Sequence, residues 1–134
     1  MISKKASILL SLAGLLLFCV PVFAHHGTGS SYDATKQITF KGVVDEFIWA
    51  NPHSQLFVNV KAPDGTITRW GVEMNSPGVL ARAGWTRRRL KPGDEVTVTV
   101  HPSLAGTPVG VFRSIVFPDG TTYGATGAQA TNTN

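Results

Sequence analysis

Four histidines are the residues of this chain with the clearest capacity for chemistry. His25 and His26 adjoin one another near the start, His53 follows an Asn-Pro pair, and His101 ends a run of alternating valines and threonines. Imidazole is a common metal ligand and titrates closer to neutral pH than other side chains. The four positions therefore predict a metal site, provided that the fold brings them together.

The segment ahead of His25 predicts how that residue is presented. Residues 1–24 have the pattern of a cleaved secretory signal peptide, with two lysines, an apolar run and Ala24 at the cleavage position. Cleavage makes His25 the first residue of a periplasmic or secreted protein, so a free α-amine lies one chelate ring from its imidazole. The apolar run, about fifteen residues, is shorter than the roughly twenty that cross a bilayer. We expect no stable membrane insertion after cleavage.

A free amine and several imidazoles make a nitrogen-rich ligand set. A roughly planar set of this kind suits divalent copper in an oxidising compartment, whereas three imidazoles with an open position suit zinc. We therefore expect copper, with zinc as the second candidate. The expected ligands are His25, His26, His53 and His101. The alternative for each is an ordinary turn or surface histidine that binds no metal.

Composition and charge exclude several classes of protein. Residues 25–134 contain no cysteine, which excludes disulfides and thiolate metal sites. Without Lys4 and Lys5 the chain carries ten basic and eight acidic residues, a balance that does not support nucleic-acid binding. The one basic cluster, Arg87 to Arg89, is typical of a solvated turn.

The sequence shows no pattern of a familiar enzyme class. Asp45 and Glu46 are adjacent, so a strand would point them to opposite faces, and Glu73 stands alone. Nucleophile elbows, phosphate loops and His-Glu-x-x-His helices do not occur in the sequence. We expect a binding protein rather than an enzyme.

Five runs of β-branched and alternating apolar residues predict strands, with one helix between the third and the fourth. Ser76 and Pro77 are typical of a helix start, and Gly84 of a helix end. This order predicts a mainly β fold, a five-stranded Greek-key barrel like the oligonucleotide/oligosaccharide-binding (OB) fold. A β-sandwich is the alternative, but it needs about seven strands and leaves the helix unexplained. The strands are expected at residues 38–49, 55–60, 67–74, 95–101 and 111–117.

The expected barrel occupies residues 38–120, between an extended arm at 25–37 and a flexible tail at 121–134. In an OB barrel the loops after strands one and four flank the ligand face. An arm folded across that face would bring His25 and His26 toward His53 and His101.

Aromatic residues and the first loop supply the other expected site positions. Asn51, in the turn before His53, and Trp70, in the third strand, are expected on the ligand face. Trp85 directly follows the helix and is expected to seat it on the core, because a buried tryptophan covers on the order of 150 to 250 Å².

Several motifs also resemble a known family. They are the His-His-Gly start at His25, residues 38–44, the run Trp49 to His53, residues 76–86 and residues 90–94. Together, over about residues 24–120, they resemble a family of small exported bacterial proteins known as domain of unknown function 6152. The resemblance implies export and a compact β-domain, and it transfers no activity or catalytic residue.

Two functions from different classes follow. The first is an exported, non-enzymatic binding protein that holds copper through its mature N-terminal histidine, with His53 and His101 contributing. The second is a metal-free β-barrel module that binds a partner protein, a glycan or a small ligand through its exposed face. Copper-dependent oxidation is a third reading, which needs an open copper position and a substrate platform that the sequence does not display.

Overall fold

The computed structural model describes residues 31–125 and the backbone of residues 127–129. Residues 1–30, with the expected signal peptide, His25 and His26, lie outside the described part. The elements in chain order are β1 Ile38–Ile48, β2 Gln55–Lys61, β3 Ile67–Glu73, helix α1 Pro77–Arg82, β4 Glu95–Pro102, β5 Val109–Val116, β6 Thr122–Gly124 and β7 Gly127–Gln129.

The first five strands close into a barrel. β1 pairs antiparallel with both β2 and β4, β2 pairs with β3, and β4 pairs with β5. A parallel pairing of β3 with β5 completes the ring. This arrangement, with the single helix between β3 and β4, confirms the expected OB-like Greek-key barrel. The expected strand bounds hold within one residue for the first four strands, and β5 begins two residues early, at Val109.

β1 serves two partners because it bends. Its first half pairs with β4 and its second half with β2, and the register shifts after Val44. At Gly42 an added Cβ would lie 2.6 Å from the carbonyl oxygen of Asn59 and 2.6 Å from a methyl group of Val58. Real Cβ atoms do not approach backbone so closely, so any side chain at this crossing point would force the backbone to shift. The phase change in the sequence pattern of β1 comes two residues later, at the register shift between Val44 and Glu46, where Asp45 and Glu46 are both exposed.

Alternate strand residues fill the barrel. In β4, Val96, Val98 and Val100 are buried, and the threonines between them are more exposed, as the alternation predicts. Leu80 of α1 is fully buried and belongs to the same core. The remaining buried core residues are Val44, Leu56, Val58, Val72, Met74, Trp85, Leu90, Phe112 and Ile115.

The helix begins on backbone bonds and ends at a glycine. The N–H groups of Val79 and Leu80 both donate to the carbonyl of Ser76, whose side chain makes no capping bond. Gly84 has φ +84°, as expected for the residue that ends the helix, and the N–H of Trp85 donates to the carbonyl of Leu80. Trp85 thereby enters the core, as predicted. In the described ranges, no helix combines the length and the apolar character that crossing a membrane requires.

Two short strands extend the sheet where a flexible tail was expected. β6 pairs with β5, and Tyr123 packs its ring 5.2 Å from that of Trp85, measured between centroids. The guanidinium carbon of Arg89 lies 4.3 Å from the centre of the Tyr123 ring and 4.5 Å from that of Phe117. Burial of one aromatic side chain therefore holds residues 122–124 on the barrel despite their small, polar neighbours. Arg89 makes cation–π contacts, while Arg87 and Arg88 are exposed as expected.

The close approach at Gly42 predicts a stability effect. We expect Gly42→Ala to lower the free energy of unfolding by about 1–3 kcal/mol, because the new methyl group overpacks the crossing of β1 and β2. Gly78→Ala is the matched control: its Cβ would meet only a flexible Arg82 side-chain atom, 3.8 Å away, and alanine favours a helix. Denaturant unfolding of both variants measures the difference. Equal stability of the two would contradict this account of β1.

Candidate functional site

The described end of the arm lies along the start of the β4–β5 loop. Tyr32 forms an isolated antiparallel bridge with Ser103. The N–H of Asp33 donates to the carbonyl of Pro102 at 2.8 Å, and the N–H of Leu104 donates to the carbonyl of Ser31 at 3.0 Å. Backbone hydrogen bonds on both sides of Tyr32 thus attach the arm to the barrel.

Glu73 joins this arm to the β1–β2 loop. The hydroxyl of Tyr32 donates to Glu73 Oε2 at 2.8 Å, and His53 Nδ1 lies 3.2 Å from Glu73 Oε1. Glu73 stood alone in the sequence because its partners are distant, Tyr32 by 41 positions. Glu73 is one of the site residues that sequence reasoning missed, together with Tyr32 and the cleft residue Phe57. The one local signal was the rarity of a carboxylate among the apolar residues of β3.

The hydrogen bonds of His53 determine which ring nitrogen is free. Its Nδ1 donates to the carbonyl of Met74 at 3.2 Å, besides its contact with Glu73. A carbonyl oxygen can only accept, so Nδ1 carries a hydrogen, and in the neutral ring the lone pair is therefore on Nε2. His53 is 43% exposed at its side chain, which leaves the ring accessible.

His101 has the same arrangement at the end of β4. Its Nδ1 donates to the carbonyl of Lys36 at 2.6 Å, so the lone pair is again on Nε2. Across the sheet, His101 pairs with Val111 and Val111 pairs with Glu73. Two strand spacings of about 4.8 Å place the Cα atoms of His101 and Glu73 roughly 10 Å apart. The fold therefore brings His53, Glu73 and His101 to one end of the barrel.

A cleft of about 160 Å³ adjoins this cluster on the outer face of β2 and β3. The ring of Phe57 forms one wall, and the guanidinium carbon of Arg69 lies 3.8 Å from its centre. Arg69 is itself paired with Asp45 at 2.7 Å and with Glu46 at 3.2 Å. The expectation that these two carboxylates point to opposite faces is therefore wrong, because the register of β1 shifts between Val44 and Glu46. At Gly71 an added Cβ would lie 3.3 Å from Val109, so glycine keeps the cleft open. The lining residues are Tyr32, Gln55, Phe57, Gly71, Val72, Glu73 and Val109.

Trp70 and Asn51, the two residues expected on the ligand face, do not line this cleft. Trp70 stacks on Phe40, with ring centroids 4.7 Å apart, and packs against the core. Its place in β3 puts it on the same side as the buried Val72, so the aromatic residues of the cleft are Phe57 and Tyr32 rather than Trp70. Asn51 is exposed in the β1–β2 loop and is not among the lining residues.

The metal prediction rests partly on residues outside the description. Over residues 31–125, the His, Cys, Asp and Glu side chains form no group of three that could hold a metal ion. Of the expected ligands, the structure describes His53 and His101. In each of them Nδ1 makes the hydrogen bond, and Nε2 is the nitrogen left for a metal. His25 and His26 lie beyond the described residues.

Electrostatics at the arm follow from the Tyr32–Glu73 contact. Partial burial, and then the hydrogen bond and negative charge of Glu73, raise the pKa of Tyr32 from 10.0 to about 12. The neutral phenol is therefore the form that the docked arm holds.

The fold and the site define the class of protein: an OB-like barrel whose arm and β1–β2 loop meet at one carboxylate. Residues 13–112 match a family of unknown function, DUF6152, and the chain belongs to that family. No curated protein and no solved structure matches the chain. The family match includes Tyr32, His53, Glu73 and His101, so it covers the described cluster and confirms the resemblance seen in the sequence.

The raised pKa of Tyr32 predicts a loss of stability at alkaline pH. Its contribution is fully present below pH 10, the pKa of an unfolded tyrosine, and is lost as the pH rises toward about 12. We expect the free energy of unfolding to fall less over this range in Tyr32→Phe than in the wild type. Tyr123→Phe, which leaves the Tyr32–Glu73 bond intact, serves as the control. Identical pH profiles for the wild type and Tyr32→Phe would contradict the assignment.

Proposed function

We propose that the protein is an exported, non-enzymatic binding protein that holds divalent copper at its mature N-terminus, with His53 as a ligand from the barrel. The observation that carries this proposal is the contact chain from the arm to His53. Tyr32 donates to Glu73 at 2.8 Å, and Glu73 lies 3.2 Å from the ring of His53.

Chain length permits the arm to complete such a site. Seven residue steps separate His25 from Tyr32, and a fully extended chain covers about 24 Å in seven steps. Because Tyr32 already docks within two short contacts of His53, this reach is sufficient for the amine and imidazole of His25 to meet the free Nε2 of His53. The resulting nitrogen ligands match the preference of divalent copper.

The surroundings of His53 support a ligand role. Histidines that bind metals generally donate their second ring N–H to a carboxylate or a backbone carbonyl, which orients the ring and increases its basicity. His53 has both kinds of acceptor, in Glu73 and in Met74. His101 has the carbonyl alone and is the candidate for a weaker, additional ligand.

A copper titration of protein processed through its own signal tests the proposal. One sample begins at His25, as verified by mass, and a second carries one extra alanine ahead of it. We expect the extra residue to weaken copper binding by at least about tenfold and to change the electron paramagnetic resonance spectrum. The reason is that the loss of a nitrogen bound directly to copper lowers the affinity more than a change in a residue that only contacts a ligand, which lowers it roughly 10- to 100-fold.

His53→Gln is expected to weaken copper binding in the same assay. Gln55→Ala, a change at the first residue of β2, is the control and is expected to leave copper binding unchanged. Retention of wild-type affinity and spectrum by the alanine-capped protein would refute the N-terminal chelate.

The cleft on β2 and β3 favours a second candidate function, metal-free binding of a partner protein, a glycan or a small ligand. It combines one aromatic wall, Phe57, with polar groups from Gln55, Glu73 and Tyr32. Its volume of about 160 Å³ is below the roughly 300–1,000 Å³ of drug-sized pockets. The cleft therefore suits one side chain or one sugar ring of a larger ligand.

Nuclear magnetic resonance titration of metal-free protein with neutral oligosaccharides and short peptides tests this second candidate. We expect the amide signals of Gln55, Phe57 and Gly71 to shift, and Phe57→Leu to abolish the shifts because it removes the aromatic wall. Trp70→Phe, a change on the core side of β3, is the control and should bind normally. Shifts that persist in Phe57→Leu would place the ligand elsewhere.

A further inference from the structure

Glu73 differs from the other carboxylates on its face of the barrel. Asp45 and Glu46 are both paired with Arg69. Among the described residues, no lysine or arginine forms an ion pair with Glu73, whose contacts are the hydroxyl of Tyr32 and the ring of His53. Its negative charge is therefore directed at two groups from different segments of the chain.

We propose that Glu73 is a positioning residue that couples docking of the N-terminal arm to copper binding at His53. This inference rests on the proposed function, because it concerns the regulation of the same site. One oxygen of the carboxylate holds the arm through Tyr32, and the other faces Nδ1 of His53 and helps to keep Nε2 available for a metal.

Strand pairing fixes the backbone of Glu73 in the barrel. Its backbone pairs with Gln55 of β2 on one side and with Val111 of β5 on the other. Its side chain is only 22% exposed, compared with 43% for His53. Strand pairing on both sides holds the backbone of Glu73, and each carboxylate oxygen has one of the two contacts. Loss of the Tyr32 bond therefore frees the carboxylate to turn away from His53.

Coupling of this kind is reciprocal. If a docked arm strengthens copper binding, bound copper must strengthen arm docking by the same factor. Outer-shell carboxylates that orient a ligating histidine typically change metal affinity by about 10- to 100-fold. We expect Glu73→Gln to weaken copper binding by a factor in that range.

The first experiment is a double-mutant cycle on copper affinity. Tyr32→Phe should also weaken binding, and the Tyr32→Phe/Glu73→Gln double variant should be no weaker than Glu73→Gln alone, because both changes break one contact chain. Glu46→Gln is the matched control: it removes an exposed carboxylate on the same sheet face that does not touch His53, and it should leave affinity unchanged. Additive losses from Tyr32→Phe and Glu73→Gln would overturn the coupling.

The second experiment follows the arm directly by hydrogen exchange and mass spectrometry. Its reporters are the N–H groups of Asp33 and Leu104, which bond the arm to the barrel. In metal-free protein, Glu73→Gln and Tyr32→Phe should speed exchange at both amides. In the wild type, copper should slow this exchange, and in Glu73→Gln the slowing should be lost.

These outcomes separate the inference from the proposed function. Failure of the wild type to bind copper would remove both. Wild-type copper binding that Glu73→Gln retains, with the same affinity, resonance spectrum and exchange rates, would overturn the positioning role alone and leave the copper site standing.

Discussion

The crossing of β1 at Gly42 is the constraint on which the rest of the structure depends. A single strand must pair with β4 in its first half and with β2 in its second. The absence of a side chain at Gly42 permits β1 and β2 to pack closely there, because an added Cβ would lie 2.6 Å from the carbonyl oxygen of Asn59. This double pairing is what lets the sheet close, with β3 beside β5. Closure then sets Glu73, Val111 and His101 in one row across three strands. Without it, the candidate site has no common end of the barrel on which to form.

The carboxylates near the site differ in the groups that they contact. On the outer face of β2 and β3, Arg69 pairs with both Asp45 and Glu46 and covers the ring of Phe57. Glu73 instead accepts a hydrogen bond from the Tyr32 hydroxyl of the arm and lies 3.2 Å from Nδ1 of His53 in the β1–β2 loop. The same face thus has one region in which a guanidinium pairs with two carboxylates. In the other region, a carboxylate contacts both the arm and His53.

Predictions from the sequence succeeded where a pattern depends on neighbours along the chain. The strand runs, the glycine that ends the helix and the burial of Trp85 were all predicted, because alternation and helix termination are local properties. Tyr123 shows the limit: its neighbours are small and polar, yet its ring packs on Trp85, which lies far away in the sequence. Trp70 shows a different limit, since its type favoured a ligand face while its alternation placed it with the core.

The sequence by itself determined the order of the elements, the inward face of each strand and which histidines were available, because these follow from side-chain type and spacing. Only the tertiary structure decided that Tyr32, His53 and Glu73 meet, since their contact depends on strand register and barrel closure. Register aligns residues that are distant along the chain, and no local pattern around Glu73 encodes its partners. The residue types determined which contacts were chemically possible, and the fold brought those residues close enough together to make them.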